Sequence, residues 1–583
     1  MSQDKSLRQL VQSGMSRRSF LRGVSVMGVG AAAGVTIPTG LAAAAAATIV
    51  AKKAAGEGTA EEATAVGLNF TPVAPSMEDD LLLPEGFTYE VLIKRGDVFT
   101  ADGRVFGDNN DWTGWYPIDG LEGGNSTEEG FLIVNNEYYN TLFVGGYTGA
   151  DGEEHTPEQI AEEKAAVGIC SVHIRKEGDK WTVVADSVRA RRFDATDPIA
   201  FSGPVAGADV VNGVTEVIGT LANCSGGHTP WLTGLSCEEN YQDYYGENKN
   251  AESSGYGWLE AGANDQGQIP EHYGWVVEVD PYAGTATKRT AMGRFHHENV
   301  AIGIGASGKV VAYMGDDRAD SSVYKFISDG TYDEANRDAN LNILDSGTLY
   351  VANFQRGTWI PVVFEGNEDT LTDSDNVGGY TIGSQADVLT YCDPVAKALG
   401  ATRTDRPEDI EIHPETGDIY IAFTNNSSHG NFHGQITRIM PADGDHESLE
   451  FAWDIFAVGG PQSGFSSPDN MIFDDNSNLW MVTDVSSGSL NSGIYSFMGN
   501  NSMFVFPTDG DYMGKAFRFA TGPVECEMTG QTWLENTLFL SVQHPGEESE
   551  SLENLGSHWP LGGNEVPYSS VVAIYGPFDQ IGV

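Results

Sequence analysis

Basic residues are scarce: 32 Lys and Arg against 83 Asp and Glu leave a formal charge of -51 over 583 residues. A polyanion of that density is repelled by nucleic acid and by anionic membranes, which argues against both as partners. The acids far outnumber what a few cation sites could use, so most form a solvated shell of the kind that suits a salty habitat. Cysteine is scarce too. The five present, Cys170, Cys224, Cys237, Cys392 and Cys526, form no CxxC pair, which argues against a disulfide framework or a zinc ribbon. Their odd number leaves at least one free thiol, and a Cys170–Cys224 bridge is compatible with the spacing. Neither Gly-x-Ser-x-Gly nor His-Glu-x-x-His occurs, so serine hydrolysis of the α/β type and zinc proteolysis find no support.

Long apolar runs are missing beyond the N-terminus. The one weakly apolar stretch, Val24 to Leu41, follows Ser16-Arg17-Arg18-Ser19-Phe20-Leu21 and precedes an alanine run, Ala42 to Ala47. That order predicts a twin-arginine signal over 1–47, read by the twin-arginine translocation machinery, with a periplasmic or extracellular destination. Several Gly and Ala residues and Pro38 make the stretch a poor membrane anchor, and no stable span is expected in the mature protein. A flexible linker is expected over 48–65 and a single domain over 66–583. Because this export route moves folded proteins, it favours a metal site loaded in the cytoplasm.

Helix-period segments are few, with 157–167 and 387–399 the best candidates. Glycine is abundant, at 71 residues, and it punctuates short β-branched and aromatic runs such as Val276–Val279 and Ile419–Phe423. Three segments share one pattern: Glu298–Ile302 leading to Asp316-Asp317, Glu408–Ile412 leading to Asn425, and Asp469-Asn470–Phe473 leading to Asp484. Glu525-Cys526-Glu527 leading to Gln543-His544 is a fourth. Each opens on a carboxylate, turns, and returns to a polar residue. An antiparallel hairpin sets those two ends side by side. Repetition at roughly 55 to 60 residues predicts an all-β chain, a β-propeller with irregular insertions and a few short helices, and a ring of acids at one channel mouth. A β-sandwich with polar strand ends is the competing architecture.

Convergent Glu, Asp and Asn oxygens suit a hard cation such as calcium. Cys237, at the end of a strand-like run and followed by Glu238 and Glu239, adds a thiol that would favour iron or zinc; a buried apolar niche is its plain alternative. Arg406, just before Pro407-Glu408, either grips a phosphoryl group or pairs with Glu408 or Asp409. His544 is a possible ligand or hydrogen-bond donor, while His296 and His297 read as structural. Gly303-Ile304-Gly305-Ala306-Ser307-Gly308 resembles a dinucleotide fingerprint, yet strand follows it, so a hairpin turn is expected.

These segments, with Asn135-Asn136-Glu137-Tyr138, Thr229–Asn240, Gly274–Pro281 and Gln543-His544-Pro545-Gly546-Glu547, resemble in order the PhoX family of secreted, calcium-dependent alkaline phosphatases. The match departs from the family pattern at Leu232 and Gly234. The resemblance implies a six-bladed propeller whose channel holds calcium (Ca2+) and iron (Fe3+) and hydrolyses small phosphomonoesters. By motif position it implies Cys237, Glu238, Glu298, Glu408, Asp469 and Asn470 as metal ligands and Arg406 as the residue facing phosphate. Glu137, Asp316, Asp317, Asn425, His544 and Glu527 complete the candidate set. A calcium-dependent propeller lactonase or esterase and a non-catalytic calcium-binding propeller are the competing functions, and a thiolate ligand would separate the phosphatase from a calcium-only lactonase.

Overall fold

The structure is a computed structural model that describes residues 56–147, 153–249, 255–258 and 267–581. The segment bearing Arg17 and Arg18 lies outside the described residues. Six sheets, all antiparallel except for one parallel pair between Pro198–Ser202 and Thr285–Arg289 in the second, each have an innermost strand that contacts its neighbours around a common axis and form a six-bladed propeller. The innermost strands are Asn110–Pro117, Asn223–His228, His297–Ile304, Pro407–Ile412, Pro468–Phe473 and Glu527–Leu534. They define blades one to six in chain order.

Each sheet is covered on both faces by the neighbouring blades. Its middle strands are therefore buried throughout, as in Ile419–Phe423, Leu479–Thr483 and Ser502–Phe506. This explains the near-continuous apolar runs in the sequence. The ring is closed by exchange between the termini: Thr88–Lys94 pairs antiparallel with Ser570–Tyr575 and supplies the outer strand of the sixth blade.

The expected linker is not loose over its second half. Ala60–Ala65 is a helix with a Thr59/Glu62 capping box. It is pinned to the fifth blade by Lys515 to Glu62 at 2.6 Å, Arg518 to Glu57 at 3.0 Å and the fully buried Ala63. The predicted helices appear as Pro157–Ala166 and as the pair Gln385–Thr390 and Cys392–Leu399. Gly305–Gly308 is the turn between His297–Ile304 and Lys309–Asp316, so the fingerprint-like run meets no helix. Among the described residues no helix is long and apolar enough to cross a membrane.

Candidate metal centre

In five of the six inner hairpins the ladder carries a bulge one residue after the inner strand begins. Two inner residues there face one residue of the partner strand, which twists the inner strand and re-aims its second side chain. Those second residues are Asp111, Cys224, Glu298, Glu408 and Asp469. Glu527 opens the sixth inner strand. The chain enters most of these strands through a left-handed residue: Asn109, Ala222, Arg406, Ser467 and Glu525 have φ between 37° and 59°. None is glycine, so each such turn costs about 1 kcal/mol. This strain recurs two residues before Asp111, Cys224, Glu408, Asp469 and Glu527; Glu298 is entered without it.

The returning strands add a second set at the same mouth. The residue just past each one is Glu137, Glu239, Asp317, Thr424, Asp484 or His544. Donor atoms of Asp111, Glu137 and Cys224 lie within 4.8 Å of one another, as do those of Cys224, Glu239 and Glu298 and those of Glu298, Glu408 and Asp469. The three groups share Cys224 and Glu298, so they form one continuous arc. Gln543 ties its first members together, its Nε2 donating to Asp111 at 2.8 Å and Glu137 at 3.2 Å.

Electrostatically the arc is costly as it stands. Burial, then neighbouring carboxylates, raise Glu298, Glu408 and Asp469 well above the ordinary carboxylate range. Burial, followed by the Asp111 charge, brings Glu137 to about 8. Burial and the charges of Asp111 and Glu137 likewise hold the Cys224 thiol high, and it donates to Glu298 at 3.0 Å. Glu408 Oε1 is buried without a hydrogen bond, although Arg406 Nη2 stands 3.0 Å away. Clustered anionic oxygens with one thiol and an unsatisfied carboxylate oxygen fit bound cations, whose charge would reverse these shifts.

Several predicted residues land elsewhere. Cys237 is the single residue opposite the Cys224–Ser225 bulge, the position held by Ala422 and Val482 in the fourth and fifth blades. Like them it lies in an apolar core, so the thiol in the arc is Cys224. Among the described residues every cysteine is free, and the Cys170–Cys224 bridge is not formed. Glu238 is one residue short of the channel. It is fully buried against Lys288 at 2.8 Å and accepts from Thr220 and from the backbone N–H of Gly274 and Trp275. Asp316 is similarly one residue short, clasped by Arg318 and Ser321. Asn470 lies one level deeper, accepting from Thr529 and the Gly530 N–H. Asn425 is half-buried one residue past the ring position.

Glu137, Asp317, Glu298, Glu408, Asp469, Glu527 and His544 do meet at the mouth. Asp111, Cys224, Glu239 and Asp484 stand outside the site set predicted from sequence, although Asp484 is the return end of a predicted hairpin and Glu239 one of the acids after Cys237. Their signal was the blade register, with Asn110-Asp111 and Asn223-Cys224 taking the place of an opening carboxylate. Removing the Glu238 carboxylate should leave Lys288 buried and unpaired. Glu238→Ala is therefore expected to cost about 3–5 kcal/mol, read as an earlier urea midpoint.

Arg406 sits at the rim, 31% exposed, with Nε and Nη2 on the two oxygens of Asp317 at 3.0 and 2.6 Å. A guanidinium already in bidentate geometry beside the arc is suited to a tetrahedral oxyanion.

The family model described as alkaline phosphatase PhoX matches residues 68–546. The chain belongs to the PhoX family. The structure of PhoX from Pseudomonas fluorescens in complex with vanadate, a transition state analogue, is 31% identical and covers 88% of this chain and 99% of that one, with a TM-score of 0.77. An α-L-arabinanase from Penicillium chrysogenum covers 85% of this chain and 99% of its own at 10% identity, with a TM-score of 0.34. A search of curated proteins returned no match. As a PhoX-family alkaline phosphatase, the protein hydrolyses phosphomonoesters, and its substrates are small phosphoesters.

Proposed function

We propose that this phosphatase is exported by the twin-arginine route and works with iron at the Cys224 end of the arc and calcium at its all-oxygen end. The observation that carries the reading is the composition of the arc. Its thiol belongs to two of the three donor groups, whereas Glu298, Glu408 and Asp469 offer oxygen alone. Thiolate ligands select softer metals, and carboxylates select calcium. Asp111, Glu137, Cys224, Glu239 and Glu298 would hold the first kind of ion; Glu298, Glu408 and Asp469 would hold the second. When bound, the ions supply charge neutralisation at the phosphoryl oxygens and activation of water.

The chain's own groups do the positioning. Arg406 exchanges its hold on Asp317 for two equatorial oxygens of the phosphoryl group, so its charge is stabilising where negative charge gathers. Asp317 keeps the guanidinium plane fixed before substrate arrives. Burial lowers the affinity of His544 for a proton, but Glu547 and Asp484 outweigh it, and the imidazole is left above its ordinary pKa as a positive group among acids. A calcium-only lactonase would have no use for the Cys224 thiol. The sequence Ser16-Arg17-Arg18-Ser19-Phe20-Leu21 supports the export route.

The test is turnover of p-nitrophenyl phosphate by the metal-loaded protein and by Arg406→Lys. The variant should keep its metals and lose about 10²–10³ in kcat, because a point charge replaces a planar fork. Unchanged kcat would remove Arg406 from the site.

A further inference from the structure

Beside the channel mouth, on the side of the third blade, is a recess of about 440 Å³. That is within the size range of ligand pockets. Its wall carries four cations, Arg294, Arg318, Lys397 and Arg403, against two carboxylates, Glu247 and Asp393. A net-positive recess runs against the composition of a chain with 83 acidic and 32 basic residues.

Two of the cations, Arg294 and Arg403, are held in ways that leave charge for a ligand. Arg294 is buried, stacks 4.2 Å from the centre of the Tyr241 ring and spends Nε and Nη2 on the carbonyls of Tyr273, Glu247 and Pro270. Among the described residues it forms no salt bridge. Arg318 is clasped by Asp316 and also stands 3.6 Å from Glu247 and 3.8 Å from Asp393, and Lys397 pairs with Asp393 at 2.8 Å. Arg403 is exposed and has no ion pair among the described residues. Glu247 registers the local field. Burial alone would raise it, yet the hydrogen bond from His296 and the charges of Arg294 and Arg318 bring it down to about 2.

The recess is coupled to the hydrolytic mouth through short stretches of chain. Arg318 clasps Asp316, and the next residue, Asp317, clasps Arg406. Glu247 meets His296 at 3.2 Å, two residues before Glu298. None of the four cations pairs with an arc carboxylate among the described residues, so the metal centre does not account for them.

We propose that this recess binds the leaving-group end of the substrate when that end carries its own negative charge, a second phosphate or a carboxylate. The proposal rests on the channel being the hydrolytic site. It predicts a phosphatase biased toward phosphomonoesters with a second anionic group.

The test uses the full metal-loaded enzyme and two matched pairs: glycerol 3-phosphate with 3-phosphoglycerate, and fructose 6-phosphate with fructose 1,6-bisphosphate. The wild type should show a KM about tenfold lower for the member with the extra anion. The first pair isolates a carboxylate and the second a phosphate; preference in either pair supports the recess and names its ligand. In Lys397→Gln/Arg403→Gln that preference should shrink at least about fivefold, with kcat and KM for glycerol 3-phosphate, metal content and thermal midpoint unchanged. Equal KM values within both wild-type pairs, or a variant that shifts both members alike, would overturn the proposal. Turnover of glycerol 3-phosphate reports separately on the hydrolytic site; if none of the four esters is hydrolysed, that reading fails and this one with it.

Discussion

Cys224→Ala is expected to lose iron and more than about 100-fold in kcat/KM, while Cys237→Ala keeps both. Removing even an outer partner of a metal ligand costs about 10- to 100-fold, so loss of a ligand shared between two donor groups must cost more. Cys224 has that shared place, with donor atoms of Asp111 and Glu137 on one side and of Glu239 and Glu298 on the other. Cys237 has apolar neighbours, and its thiol is pushed well above its ordinary pKa, first by burial. Its truncation removes one sulfur from a packed core and should lower stability by about 1 kcal/mol. Elemental analysis and p-nitrophenyl phosphate turnover of the two variants decide the matter. Full activity in Cys224→Ala, or loss of iron only in Cys237→Ala, would reverse the assignment.

Chelation should destabilise the fold, and the metal-free protein should weaken as pH rises. Burial raises Asp111 to about 6, Asp409 to about 7 and Glu137 to about 8. An acid whose pKa is higher folded than unfolded binds its proton more tightly in the native state. Its favourable contribution is therefore present at low pH and is lost as pH climbs through the folded value. Between about pH 5 and pH 8 the combined loss is on the order of 8 kcal/mol. Under the proposed assignment calcium binds only the folded arc, and it should restore roughly 4 kcal/mol at a thousand times its dissociation constant. Thermal midpoints measured in chelator across that range, with and without added calcium, check this. A midpoint that rises with pH in chelator would contradict it.

The last four blades were legible because their inner hairpins open on Glu298, Glu408, Asp469 and the Glu525–Glu527 segment, a repeated chemical mark. The first two open on Asn110-Asp111 and Asn223-Cys224, and without that mark they were not recognised as blades. Their side chains still reach the axis, because the bulge and the entry turn, not the residue type, aim them.

Strand alternation explains the one-residue error at Glu238 and why, of the predicted pair Asp316 and Asp317, only the second is a channel group. Successive strand residues point to opposite faces, so a slip of one exchanges a channel group for a buried structural one. Glu239 and Asp317 are the residues that face the mouth. Sequence could read that a thiol belonged near the carboxylates. It could not tell which of two cysteines on paired strands stood in the bulge, since that depends on ladder register.

The central claim is that an iron ion sits against Cys224 in an arc of channel carboxylates. An anomalous difference map recorded at the iron edge, on crystals of the protein as purified from its exported pool, tests it directly. The account predicts a peak within bonding distance of Cys224 Sγ and of carboxylate oxygens from Glu239 or Glu298. A channel with no such peak, or a peak against Cys237, would contradict it.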